Sequence, residues 1–121
     1  MIKVKQFLHT SVNVAADPDQ GIEFYGKFLG LDAAPRPDIP GTPGAWWQVG
    51  DSQVHIIGRS QTDQPLDAAR AHFALGVESL AEAKQALESA GIAYRESAGR
   101  VGTTQVFFND PFGNLIELQE V

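Results

Sequence analysis

Apolar and polar residues alternate along this chain in two similar series. Val4 to Val14 reads as a first strand, with Val4, Leu8, Val12 and Val14 on one face. Lys5, Phe7, His9, Ser11 and Asn13 fall on the other, mostly polar face. Asp17-Pro18 opens a helix, Asp17 as cap and Pro18 at the first helical position. Ile22, Tyr25, Phe28 and Leu29 supply its apolar stripe, and Gly30 stands where a C-terminal glycine belongs. Leu31 to Ala34 makes a short second strand, and the Pro- and Gly-rich stretch Pro35 to Gly44 a loop. Ala45 to Val49 and Gln53 to Gly58 form a hairpin around Gly50-Asp51. A polar segment without clear period, 59–70, reads as a linker between modules 1–58 and 71–121.

The second series repeats the first. His72 to Val77 alternates Phe73, Leu75 and Val77 against His72, Ala74 and Gly76. Ser79-Leu80-Ala81-Glu82 is a capping box, and the helix it opens packs through Leu80, Ala83, Leu87 and Ala90 before ending at Gly91. Strands follow at Ile92 to Glu96, Thr103 to Asn109 and Leu115 to Glu120. The last is announced by the turn signal Asp110-Pro111-Phe112-Gly113-Asn114. The order is strand, helix, three strands, linker, then the same again. The spacing agrees: His9 and His72 open matching strands at an offset of 63 (72 − 9), and His55 and Glu117 match at 62 (117 − 55).

Glu117 stands between Ile116 and Leu118 on that last strand. A buried carboxylate is costly unless a counter-charge compensates it, and the three histidines make a metal ion the leading candidate. His9, His55, His72 and Glu117 occupy repeat-related positions, each on the strand face opposite the helix-packed core. Any one strand histidine alone is more often a hydrogen-bonded structural residue; four repeat-related ligand types point to a metal site. Imidazole nitrogen with carboxylate oxygen suits Zn, Ni, Fe, Mn or Co as the divalent ion.

Composition narrows the remaining classes. The 121 residues suffice for one domain with a real core. A formal net charge of −6 without any basic run argues against nucleic acid. The absence of cysteine excludes disulfides and thiolate metal sites. No stretch is apolar enough for a membrane span or a secretory signal, so a cytoplasmic location is the default expectation. Trp46, Trp47, Phe107 and Phe108 read as sheet and core residues, one face of each pair free to wall a pocket. Glu82 and Glu88 read as a solvated helix face. Arg36, Arg59, Arg70, Arg95 and Arg100 are candidates to hold an anionic substrate group, with no ground for choosing among them.

The His9 strand, F-Y-G-K-F-L-G-L at Phe24 to Leu31, the His72 strand, A-G-I at Ala90 to Ile92, and D-P-F-G-N-L-I-E-L together resemble the vicinal oxygen chelate superfamily. That superfamily includes glyoxalase I, extradiol dioxygenases, methylmalonyl-CoA epimerase, and the fosfomycin and bleomycin resistance proteins. The resemblance covers nearly the whole chain. It implies an α+β fold of two βαβββ modules, whose curved mixed sheets build a U-shaped cleft around one divalent metal. It also implies that His9, His55, His72 and Glu117 are the ligands, Glu117 doubling as catalytic base.

The expected function is a metal-dependent glyoxalase-like isomerase or lyase, with carbonyl or enediolate chemistry on a small oxygen-chelating substrate. An extradiol-type dioxygenase ranks lower, because its two-histidine, one-carboxylate iron site needs the position that His55 would fill. A drug-sequestering protein of the antibiotic-resistance type is a third reading, against which a full ligand set counts. No recognisable glutathione site is present. A homodimer is expected, since two four-stranded modules leave strand edges and apolar sheet faces exposed. The linker's reach, roughly 35 Å when extended, leaves open whether each site lies in one chain or is shared by two.

Overall fold

The computed structural model describes residues 1, 3, 5–59, 66, 70–97 and 104–121. Two compact units divide the chain, Met1–Gln61 and Thr62–Val121. The first contains β1 (His9–Ala15), helix α1 (Asp19–Ile22) continuing into a π-helical stretch at Glu23–Phe28, β2 (Asp32–Ala34), β3 (Gly44–Val49) and β4 (Ser52–Arg59). The second contains β5 (His72–Val77), α2 (Leu80–Ser89), β6 (Tyr94–Ser97), β7 (Gln105–Asn109) and β8 (Leu115–Glu120).

Each unit folds into a four-stranded mixed sheet, ordered β1-β4-β3-β2 in one and β5-β8-β7-β6 in the other. In both, the first and last strands are parallel neighbours and the remaining pairs are antiparallel. Parallel strands cannot be joined by a tight hairpin, and in each unit the intervening chain includes the helix. The repeat therefore extends to topology, and the fold is the expected α+β pair of modules.

In the first unit Val12, Val14, Val54, Ile56 and Trp47 are buried with Phe24 and Tyr25. The Tyr25 and Trp47 rings stack at 5.7 Å. In the second, Leu80 and Leu87 of α2 are buried, as are Val106, Phe108, Ile116 and Leu118 of the sheet. Ser79 Oγ accepts from the Glu82 backbone N–H at 3.1 Å, and Glu120 Oε2 accepts from that of Leu80 at 2.8 Å. The last strand thus pins the start of α2. Both helical segments end on a left-handed glycine, Gly30 at φ 67° and Gly91 at φ 70°, as the sequence predicts.

The turn before β8 is organised by Asp110, whose side chain is buried. Its Oδ1 accepts from the backbone N–H groups of Phe112 (2.8 Å) and Asn114 (2.9 Å), and its Oδ2 from Asn114 Nδ2 (2.8 Å).

Four sequence expectations need correction. The first strand begins at His9, and Phe7 and Leu8 are 64% and 63% exposed. The ladder to β4 starts at His9 opposite Gln53, just after the Gly50-Asp51 turn, so little of β4 remains to cover the preceding residues. The stripe of the first helix is also displaced: Phe24 and Tyr25 are buried, whereas Ile22 and Phe28 are 40% and 37% exposed. The cause is the wide turn, in which Leu29 N–H donates to the Phe24 carbonyl five residues back. A helix widened in this way no longer follows a 3.6-residue period. The helix opens one residue later than drawn, at Asp19 with Pro18 before it, and Asp17 accepts from the backbone N–H of Asp19, that first helical residue, at 3.0 Å. Ala90 of the second stripe is exposed, lying at the helix end. The Val4 start of the first strand, most of the 59–70 linker, the Thr103 start of the seventh strand and Arg100 lie outside the described residues. Among those described, no helix is long and apolar enough to cross a membrane.

Because Asp110 satisfies two backbone donors that its removal would strand, Asp110→Ala should lose about 2 kcal/mol or more of stability. Loss of the helix cap in Ser79→Ala should cost about 1 kcal/mol. Urea denaturation of both variants checks the ranking, and an Asp110→Ala loss no larger than that of Ser79→Ala refutes it.

Candidate functional site

Strand alternation puts the four candidate residues on the faces opposite the helices, and register places them equivalently. His55 lies across from Ser11 on β1 and Trp46 on β3. Glu117 lies across from Ala74 on β5 and Phe107 on β7. His9 is paired with Gln53, and His72 with Leu115. Each unit therefore sets the first residue of its first strand diagonally beside the candidate on its last strand.

The first unit builds an aromatic stack. The His55 ring lies between His9 and Trp46, with centroid separations of 4.1 Å to each and interplanar angles of 14° and 5°. His55 is 8% exposed. Its Nε2 meets Gln53 Oε1 at 2.8 Å. Gln48 Nε2 donates to the carbonyls of Gly50 and Ser52, so Gln48 Oε1 accepts from Gln53 Nε2 at 3.0 Å. That chain turns Gln53 Oε1 toward His55, puts the proton on Nε2, and leaves the lone pair on Nδ1. Burial first, then the charges of His9 and Arg36, hold His55 below the usual imidazole range. It is kept neutral.

The second unit builds a hydrogen-bonded carboxylate. Glu117 is buried; its Oε1 accepts from Gln105 Nε2 and Gln119 Nε2, each at 2.6 Å, and its Oε2 meets His72 Nε2 at 2.8 Å. Burial works to raise its pKa, yet the bonds from Gln119, Gln105 and His72 outweigh it and hold the carboxyl below its usual range. His72 Nδ1 lies 2.7 Å from the Arg70 carbonyl oxygen, which can only accept, so Nδ1 carries a proton. Nε2 then meets the ionised carboxylate either as an N–H donor or across a bound cation. Two acceptors cannot hold one another at 2.8 Å; a cation, either a proton or a metal ion, must sit between them. A histidine that donates its far N–H to a backbone carbonyl has the usual posture of a metal ligand. The donor set fits a borderline divalent ion.

Arg70 ties this half together. Besides anchoring His72 through its carbonyl, its guanidinium donates to Asn109 Oδ1 (3.1 Å) and the Gly113 carbonyl (2.7 Å). One residue thus spans the start of β5 and the turn that delivers Glu117. The Phe107 ring meets His72 edge-on at 5.5 Å.

The structure brings His9 to His55 and His72 to Glu117, each pair inside its own unit. Within neither unit do three or more His, Asp or Glu gather, among the described residues. Sequence reasoning missed Gln53, Gln48 and Gln105 and the anchoring role of Arg70. Period-2 alternation already put Gln53 on the His55 face and Gln119 on the Glu117 face. Gln105 and Arg70 needed the register of neighbouring strands. Of the aromatic pairs, Trp46 and Phe107 touch the candidate rings, whereas Trp47 and Phe108 belong to the core.

Comparison with known proteins bears on this arrangement. The profile of the Glyoxalase/Bleomycin resistance protein/Dioxygenase superfamily matches residues 6–118. A protein of Vibrio parahaemolyticus named "Probable lactoylglutathione lyase" is 31% identical over 93% of this chain and 88% of its own length. Glyoxylase I 4 of Arabidopsis thaliana is 27% identical over 91% of this chain and 67% of its own. The crystal structure of a glyoxalase family protein from Bacillus anthracis superposes with a TM-score of 0.81 at 30% identity, covering 99% of this chain and 98% of that one.

Both shifted groups favour the deprotonated form in the folded state, so the unfolded chain binds more protons and stability rises with pH. The His55 contribution is intact above its ordinary value of 6.5 and is lost as pH falls through its lowered one. The Glu117 contribution is intact above 4.5 and is lost at still lower pH. Melting temperatures of metal-free protein should therefore fall on acidification from pH 7. His55→Gln should flatten the upper part of that fall and Glu117→Gln the lower part; an unchanged profile in either variant overturns its assignment.

Proposed function

Because the chain belongs to the glyoxalase/bleomycin resistance protein/dioxygenase superfamily, we propose that it is a divalent-metal-dependent, glyoxalase-like isomerase or lyase acting on a small substrate with adjacent oxygen donors. The observation that carries this reading is the His72–Glu117 contact, where an imidazole nitrogen and a buried carboxylate oxygen meet at 2.8 Å and can share a cation. His9, His55, His72 and Glu117 would hold one ion, three imidazole nitrogens and one carboxylate suiting Zn, Ni, Fe, Mn or Co. Such an ion would supply Lewis acidity toward a substrate carbonyl.

The chain's own groups do the rest. Glu117 is the base, and its two oxygens are not equivalent. Oε1 is saturated by Gln105 and Gln119, so the proton removed from the carbon beside the carbonyl goes to Oε2. The same two amides keep the carboxylate ionised at neutral pH despite burial, which makes it available as a base before substrate arrives. On the other module Trp46 covers one face of His55, fixing the ring and keeping water from that side. The likeness to the Vibrio parahaemolyticus protein named a lactoylglutathione lyase supports this reaction class over oxygen chemistry or sequestration.

One metal per chain is expected by elemental analysis and calorimetry with Ni²⁺. Loss of an outer-sphere partner costs about ten- to a hundredfold in affinity, so Gln105→Ala should fall in that range. His55→Ala and Glu117→Ala should lose more, and Asn13→Ala almost nothing. Equal retention of metal by His55→Ala and Asn13→Ala sinks the ligand assignment.

The protein acts as a homodimer in this reading. Phe7 and Leu8 leave large apolar surface exposed at the start of β1, and β1 is an edge strand of its sheet. A twofold partner covers such features symmetrically. Mixing His9→Ala and Glu117→Ala chains by unfolding and refolding tests how the sites are built. If modules of different chains share a site, each mixed dimer regains one intact metal site; if not, no mixture regains any. A monomer by light scattering at micromolar concentration removes the dimer altogether.

A further inference from the structure

We propose that Arg36 anchors an anionic group of the ligand, a carboxylate, phosphate or phosphonate, on the sheet face that carries Trp46 and His55. This deepens the proposed function and rests on its placing of the substrate at His55.

Arg36 lies in the loop between β2 and β3 and is half-buried. Its Nη2 donates to the Thr42 carbonyl at 2.6 Å, which ties the guanidinium to its own loop. Gly44 makes room for it. A β-carbon at Gly44 would sit 3.3 Å from Arg36 Nη2 and would run into the Ile56 carbonyl at 2.2 Å. Gly44 pairs with Ile57, and two residues on Trp46 pairs with His55. Directly opposed residues share a face of a sheet and alternate residues return to it. Gly44 therefore belongs to the face that presents Trp46 and His55, and Arg36 lies beside it.

What marks this arginine is that its charge is unanswered. Its Nε is buried and has no hydrogen-bond partner, and no ion pair among the described residues includes it. Of the other candidate arginines, Arg70 spends its guanidinium on Asn109 and Gly113, and Arg95 points to the Leu66 carbonyl from an exposed position. In a chain of net charge −6, carboxylates are abundant and one could have been placed opposite Arg36. A guanidinium can offer two parallel N–H bonds to a planar or tetrahedral oxyanion. A lysine would carry the charge without the fork.

Calorimetric titration of metal-free protein with inorganic phosphate tests this, with tryptophan fluorescence as a second signal because Trp46 stacks on His55. Wild type should bind phosphate, Arg36→Gln at least tenfold more weakly, and Arg36→Lys severalfold more weakly. Arg95→Gln should match wild type. Unaltered binding in Arg36→Gln, or an equal loss in Arg95→Gln, overturns the proposal, as does no binding by wild type at millimolar phosphate. Should Arg36→Gln fail to fold, Arg36→Lys decides alone: affinity equal to wild type overturns the proposal. Ni²⁺ titration of the same proteins separates the two readings. Metal binding retained by Arg36→Gln with phosphate binding lost supports both, whereas Arg36-dependent phosphate binding by a wild type that takes no metal removes only the metal-dependent function.

Discussion

A carboxylate buried between two aliphatic residues is the constraint on which the second module depends. Glu117 is 4% exposed, and its strand neighbours Ile116 and Leu118 are 0% and 5% exposed. An isolated charge in that position costs several kcal/mol even after relaxation. Two glutamine amides on one oxygen and an imidazole on the other meet that cost. Their placement in turn specifies the sheet. Gln105 must lie opposite Gln119, and Ala74, with almost no side chain, opposite Glu117. A slip of one residue would turn every one of these groups to the helix side. Arg70 and the buried Asp110 then hold the ends of β5 and β8 where that register begins.

The two modules use one scaffold for two different electrostatic solutions. At the position of Glu117 the first module has His55, and Trp46 stands where the second has Phe107. A neutral ring needs no counter-charge, so burial there is satisfied by stacking on both faces. A carboxylate offers no ring, so its surroundings supply donors. Duplication thus preserved strand order and register while the chemistry of one position diverged, with its neighbours adjusting to match.

Much of this was legible in the sequence where local chemistry and tertiary packing agree. The bounds of β5 and β8 follow directly from alternation bounded by strong turn residues, His72 to Val77 and Leu115 to Glu120. The repeat offset matched His9 with His72 and His55 with Glu117, whereas the contacts of His9 with His55 and of His72 with Glu117 needed the strand register. The first helix was misread because its period is not 3.6: one inserted residue per turn near Phe24 rotates Ile22 and Phe28 away from the sheet. No composition signal marks such a widening, which is decided by how the helix seats on Val14 and Trp47. The glutamine donors were hidden for another reason. Whether Gln105 reaches Glu117 depends on a strand pairing ten or more residues away, and glutamine carries no signature that distinguishes a solvated side chain from a second-sphere donor. Choosing among five arginines likewise required knowing which ones the fold already occupies.

The directions of the two pKa shifts bind these observations together. Burial alone would push His55 toward neutrality and Glu117 toward neutrality as well, that is, toward deprotonation in one case and protonation in the other. His55 follows burial; Glu117 is driven against it by three hydrogen bonds. Both groups therefore end deprotonated at neutral pH. A core built only for stability has no need to hold a buried carboxylate ionised, since an aliphatic residue of similar volume would pack there without cost. The donors around Glu117 keep that carboxylate ionised, and protons and metal ions compete for the same lone pairs. Arg36 fits the same logic from the other sign: no ion pair among the described residues includes it, and it lies beside the face that carries His55.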